Sequence, residues 1–152
     1  MNISHELADL DGHDQLAALM AANRHPPIGE TLEFYLVELE RGRVVFEGSP
    51  SRKVFNLIGS VHGGYAATLL DSACGCAVHS SLPAGQGYTT LELKLAYHRA
   101  LDEASGPVRA EGKLVSLGRR VGFSEAKLID ASGRLCASAT STLLIFPIEA
   151  RR

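Results

Sequence analysis

The stretch Asn56-Leu-Ile-Gly-Ser-Val-His62-Gly63-Gly64-Tyr-Ala-Ala-Thr-Leu-Leu-Asp71 gathers an amide, an imidazole, a glycine pair and one carboxylate within a single short segment. His62-Gly63-Gly64 reads as the start of a helix. A first helical turn leaves main-chain N–H groups unpaired, the helix dipole makes them electropositive, and glycine has no side chain to keep a ligand away. Donors of this kind can polarise a carbonyl and hold the negative charge that grows on its oxygen during acyl transfer. On a helix, His62 and Asp71 would stand roughly 14 Å apart along the axis and on opposite faces, from about 1.5 Å and about 100° per residue. Chemistry that uses both must therefore take one of them from a second chain whose equivalent helix runs alongside in the opposite direction. This predicts a homodimer with two sites at its interface.

The elements that must position these groups are legible from the spacing of apolar residues. Asp11 to Asn23 carries Leu16, Leu19 and Met20 with alanines between, which predicts a short helix ended by Pro26-Pro27. Leu32 to Glu40 and Arg43 to Gly48, separated by Arg41-Gly42, predict a hairpin. A loop over 51–61 then delivers Asn56 to the start of the long helix expected over His62 to Ser80. That helix is slim, with Ala66, Ala67, Ala73, Cys74, Gly75, Cys76 and Ala77, so a curved sheet can wrap it closely. Gly75 is a poor helix former, and close packing is the expected reason for it. Four strand-like runs follow: Tyr88 to Arg99, Pro107 to Ser116, Arg119 to Ile129 and Arg134 to Phe146, with Asp130-Ala-Ser-Gly133 as a hairpin turn. Two segments are expected, a helical one over 1–27 and the main domain over 28–152.

The chain has 152 residues, 45% of them hydrophobic and 21% charged, which suits one globular fold with its own core. Its net charge of −2 gives no electrostatic footprint for nucleic acid, although local basic clusters could grip a phosphorylated small ligand. No apolar run is long enough to span a membrane, and the N-terminus lacks the basic and apolar regions of a signal peptide, so a cytoplasmic protein is expected. Three cysteines, Cys74, Cys76 and Cys136, in apolar small-residue contexts read as buried free thiols rather than a disulfide framework. Cys74, Cys76 and His79 do not converge on one point of a helix, so no metal site is expected. There is no Gly-x-Ser-x-Gly elbow of a serine hydrolase.

With Asn56, His62, Gly63 and Asp71 in register, Tyr88-Thr-Thr-Leu-Glu-Leu-Lys-Leu-Ala-Tyr-His-Arg99 downstream and Leu117-Gly-Arg-Arg120 beyond, the chain resembles the PaaI-type acyl-CoA thioesterases of the hotdog-fold superfamily over about residues 30 to 146. The resemblance implies an α+β hotdog fold, in which a mainly antiparallel six-stranded sheet wraps one central helix, preceded here by a short N-terminal helix. It implies hydrolysis of an acyl-CoA to a carboxylic acid and free coenzyme A, with coenzyme A as part of the substrate and no further cofactor. Asp71 would act as general base on water or as a nucleophile forming a mixed anhydride. Gly63 would polarise the thioester oxygen, His62 would orient substrate or loop, Asn56 would hold water or the carbonyl, and Thr90 would supply a hydroxyl near the water.

Several of these positions also have plain structural readings: a capping imidazole for His62, a local turn for Asn56, a β-branched strand residue for Thr90. By the same resemblance Gly118, Arg119 and Arg120 would meet the phosphates of coenzyme A, with Arg99 and Lys53 as weaker candidates. Arg99 is followed by Ala100, where the family commonly has proline, and Gly75 stands where some relatives carry a hydroxyl. The resemblance also implies a homotetramer built from two dimers. The rival readings are a non-catalytic acyl-CoA binding or sensing domain and a hotdog dehydratase or hydratase acting on the acyl chain. The acyl group itself stays open among aryl-acetyl, hydroxybenzoyl and medium-chain fatty acyl groups.

Overall fold

The computed structural model describes residues 6–148. Helix α1 spans Gly12–Ala21 and begins where Asp11 caps it, its carboxylate accepting the Asp14 N–H at 3.0 Å. It ends at Ala22 because Asn23 turns to φ 50°, before the two prolines are reached. A second short helix, α2 over Pro27–Leu32, lies where a break was expected, with Pro27 in its first turn. Proline is well suited there, since its fixed φ fits the helix and the missing N–H would have had no partner.

Six strands form one antiparallel sheet: β1 Phe34–Glu40, β2 Arg43–Gly48, β3 Gln86–Tyr97, β4 Val108–Leu117, β5 Val121–Ile129 and β6 Leu135–Pro147, in the order β1-β2-β4-β5-β6-β3. Helix α3, Gly63–His79, lies across the concave face and buries Tyr65, Ala66, Leu69, Leu70, Ala73, Cys74, Ala77 and Val78. This is the α+β hotdog arrangement expected, with a helix of small residues held close. Gly112 of β4 is one reason for the closeness: a Cβ there would sit 2.2 Å from the Ala73 carbonyl oxygen. Gly75 is another, because a Cβ on it would come within 2.7 Å of the Tyr88 ring. The three cysteines are free thiols, Cys74 and Cys136 buried and Cys76 half-buried.

The 12-residue strand β3 lies at one border of the sheet, pairing with β6 on one side only. Its alternation breaks where the register shifts between Thr90 and Glu92, leaving Leu91 as a bulged residue 58% exposed. Before the bulge Tyr88 and Thr90 lean toward α3; beyond it Leu93 and Leu95 pack against the core. A single alternating strand was expected from Leu91 to Tyr97. The bulge is what allows an even and an odd set of side chains to share one face.

The N-terminal helix is docked firmly. Gly12 donates its N–H to the Leu82 carbonyl at 2.9 Å, and a Cβ at Gly12 would fall 1.7 Å from the His79 carbonyl oxygen. Buried Gln15 holds the other contact. Its Nε2 donates to the Leu7 and Leu10 carbonyls and its Oε1 lies 2.8 Å from His79 Nε2. With Oε1 thus the acceptor, His79 carries its proton on Nε2, and burial lowers the pKa of the ring below its ordinary 6.5.

Candidate active site

His62 caps α3. Its Nδ1 accepts the Gly64 N–H at 2.8 Å, while its own carbonyl accepts from Tyr65 at 3.0 Å. Of the two glycine N–H groups expected to face a ligand, that of Gly64 is therefore used within the chain. The Gly63 N–H makes no hydrogen bond among the described residues. His62 serves the helix start and, by occupying the neighbouring donor, leaves one N–H directed outward at the positive end of the helix dipole.

Tyr97 holds this turn from the other side. Its hydroxyl donates to the Gly63 carbonyl at 2.7 Å and its ring lies so close that a Cβ on Gly63 would be 3.1 Å from the hydroxyl oxygen. The sequence places Tyr97 as one more alternating strand position, and nothing in the spacing signals a contact with a residue 34 positions away. Val61, His62, Gly63, Tyr97, His98 and Arg99 line the hollow in front of this helix end.

Asn56 uses its side chain to shape the preceding loop. Oδ1 accepts the N–H groups of Ile58 and Ser60, both at 3.1 Å, and Nδ2 donates to the Ser60 hydroxyl at 3.0 Å. The loop tip carries Leu57 and Ile58, 105% and 89% exposed, on the same flank of the molecule as the helix start that Asn56 leads into.

Asp71 is half-buried a little over two turns along α3, where the strand β3 passes it. The Thr90 hydroxyl donates to Asp71 Oδ1 at 2.9 Å. This settles the one-residue ambiguity between Thr89 and Thr90: Thr90 faces the carboxylate and Thr89 faces outward, exposed. With Oδ1 engaged, Oδ2 makes no hydrogen bond among the described residues. Burial pushes the Cys74 thiol up to about 11 and the Cys76 thiol up to about 12, and raises the Tyr88 hydroxyl well above its ordinary value, so all three stay protonated near neutral pH.

Arg119 and Arg120 form the exposed β4–β5 hairpin together with Gly118, whose N–H donates to the Val121 carbonyl at 2.8 Å. Neither guanidinium pairs with a carboxylate among the described residues. They border a hollow that also includes Leu82, Gln86 and Phe146. Gln86 lies on β3 four residues before Thr90, about 13 Å along the strand. Arg99 stands instead at the opposite end of α3, beside Gly63, and Lys53 is paired with Glu33 at 3.2 Å. The structure thus brings Thr90 to Asp71, and Tyr97 to Gly63, but keeps these two pairs at separate points of one helix.

Comparison with known proteins bears on the whole arrangement. Residues 58–137 match the thioesterase superfamily, a span that includes Gly63, Asp71, Thr90 and the arginine hairpin. A candidate esterase of Halobacterium salinarum is 37% identical over 84 residues, an alignment spanning only about half of each chain, 54% of either. The proofreading thioesterase EntH of Klebsiella pneumoniae is 29% identical over 81% of this chain and 88% of its own. Among solved structures, the PaaI protein of E. coli, from its phenylacetic acid degradation operon, superposes with a TM-score of 0.78 at 17% identity, covering 98% of both chains. The family match and EntH support acyl-thioester hydrolysis in general, and the PaaI structure supports the fold. The chain belongs to the thioesterase superfamily and has its PaaI-like hotdog fold.

Proposed function

We propose that the protein hydrolyses acyl-CoA thioesters, with Asp71 of one subunit and the helix start at Gly63 of another completing each site in a homodimer. The observation that carries this reading is the Asp71 carboxylate with one oxygen held by Thr90 and the other unused, on the same helix as a free N–H that it cannot reach. The separation of about 12 Å along α3, from eight residues at about 1.5 Å each, is too long for one carbonyl to touch both groups of one chain. The unpaired border of β3 with exposed Leu91 and Tyr97, and the bare loop tip at Leu57 and Ile58, supply the surface on which a second copy would sit.

In this reading the thioester oxygen receives the Gly63 N–H, which stabilises the tetrahedral intermediate. Asp71 Oδ2 either takes a proton from the attacking water or attacks the carbonyl itself, and the mixed anhydride of the second route is then opened by water. Both routes expel the coenzyme A thiolate, which is protonated as it leaves, and both give the carboxylic acid. His62 and Asn56 act by fixing the turn and loop that present Gly63. Arg119 and Arg120, unpaired and planar, suit the phosphates of coenzyme A. EntH, a thioesterase by name, is among the relatives that support the reaction class.

Thiol release from a panel of acyl-CoAs, measured for the purified protein and for Asp71→Asn, tests this. A fall of about a hundredfold to ten-thousandfold in kcat/KM is expected for the variant. Tight binding of acyl-CoA with no turnover by the unaltered protein would replace the enzyme with an acyl-CoA binding domain.

A further inference from the structure

Beneath the N-terminal helix lies a cavity of about 270 Å³ whose wall is mainly apolar and also includes Arg24, His25 and His79. Leu19 and Met20 of α1 roof it, Phe34 and Phe46 of the sheet form its sides, and Ser72 and Cys76 of α3 form its floor. Ser72 is the residue after Asp71, and Tyr88, which also lines the cavity, lies two positions before Thr90 on the same face of β3. The cavity is thus one residue along α3 from Asp71 and two residues along β3 from Thr90. Its roof is fixed rather than loose: Gly12 is pressed against the His79 carbonyl, and the buried Gln15–His79 hydrogen bond of 2.8 Å ties α1 to the end of α3.

An apolar recess beside a carboxylate poised for acyl chemistry has one natural occupant, the part of the substrate beyond the thioester carbonyl. At about 30 Å³ per water-sized group, 270 Å³ holds about nine non-hydrogen atoms. We infer that the acyl group of the substrate packs into this cavity and that α1, through Met20 and Leu19, sets an upper limit on its size near that of octanoyl, decanoyl or phenylacetyl. The N-terminal helix is then a specificity element of the site. This inference rests on the thioesterase reading of Asp71, and the two can fail separately.

The test measures kcat/KM for straight-chain acyl-CoAs from acetyl to hexadecanoyl, together with phenylacetyl-CoA, and the affinities of the matching non-hydrolysable thioethers. For the unaltered protein the profile should peak at octanoyl or decanoyl and fall by at least about tenfold by hexadecanoyl. Met20→Ala should move the peak to longer chains, and Met20→Trp should lower the ratio of octanoyl to acetyl turnover about tenfold. Ile28→Trp is the second filling variant, at a lining position 51% exposed. A profile flat to hexadecanoyl, or one that none of these substitutions shifts, would overturn the cavity assignment even if turnover is intact. Thioether affinities that follow the expected profile without turnover would support the cavity and remove the catalytic reading instead.

Discussion

At its first turn α3 presents Gly63 with an unused N–H, an exposed His62 and a tyrosine hydroxyl clamped on from β3, whereas its last turn is buried under α1 with Gly12, Gln15, His79 and Leu82 in direct contact. The closed end is complete within one chain. Its glycine contact and buried side-chain hydrogen bond belong to stability, and they hold α1 over a cavity. The open end turns polar donors and bare apolar residues outward, the surface that the proposed second chain would cover. Asp71 lies between them, so the helix acts as a spacer that separates what is finished in one chain from what a second chain would finish. Substitutions at the open end should therefore alter turnover at near-constant stability, and those at the closed end the reverse.

Gly63→Pro makes the sharpest cut at the open end. Proline suits a first helical position and His62, at ψ 135°, already has the extended backbone that a following proline requires. The substitution removes the free N–H and sets a ring against Tyr97, whose side chain must give by a few tenths of an ångström, and a loss of about a hundredfold to a thousandfold in kcat is expected, with only a small fall in the melting temperature. At the closed end, Gly12→Ala places a methyl against the His79 backbone, which cannot yield as a side-chain tip would. Urea unfolding should show a loss of about 1–3 kcal/mol, with kcat for acetyl-CoA changed much less than by Gly63→Pro.

Tyr97→Phe is a milder probe of the open end. Losing the hydroxyl that holds the Gly63 carbonyl should lower kcat by up to about tenfold, the equivalent of one hydrogen bond, while KM moves little. The smallest effect concerns His79 and acid. Because burial lowers its pKa, the unfolded chain takes up a proton as pH drops below about 6.5 while the folded chain does not. Stability should thus decline from about pH 6.5 downward by at most about 1.4 kcal/mol per pH unit from this group. His79→Gln, which can still donate to Gln15 but does not titrate, should remove that part of the slope in unfolding curves taken between those pH values. An unchanged slope would mean that His79 is not the group responsible.

Much of this comparison could be read before the fold. The small-residue helix after a glycine pair, the Arg41-Gly42 hairpin, the Asp130 turn and four later strands follow from periods of apolar residues and from turn chemistry, and they specify the sheet wrapped on α3. The Gly63 and Asp71 separation also follows from helical geometry alone. What escaped were features set by contacts between distant parts of the chain. Pro27 looks like a breaker until its place in the first turn of α2 is known, and the bulge at Leu91 depends on β6. The Gln15–His79 and Tyr97–Gly63 contacts join residues with no shared pattern. Asn56 carried two readings, a substrate contact and a local turn, and its hydrogen bonds to Ile58 and Ser60 show the turn, with Ser60 as a side-chain partner that local spacing does not announce.

Mixed dimers test the shared site most directly. Asp71→Asn and Gly63→Pro chains, each inactive alone, are unfolded, mixed in equal amounts and refolded, and thiol release from octanoyl-CoA is followed. If each site takes Asp71 from one chain and Gly63 from the other, half of the dimers are mixed and each holds one intact site, so activity returns to about a quarter of that of the unaltered protein. Activity that stays at the level of the separate variants, with mixed dimers demonstrably formed, would contradict a site built from two chains.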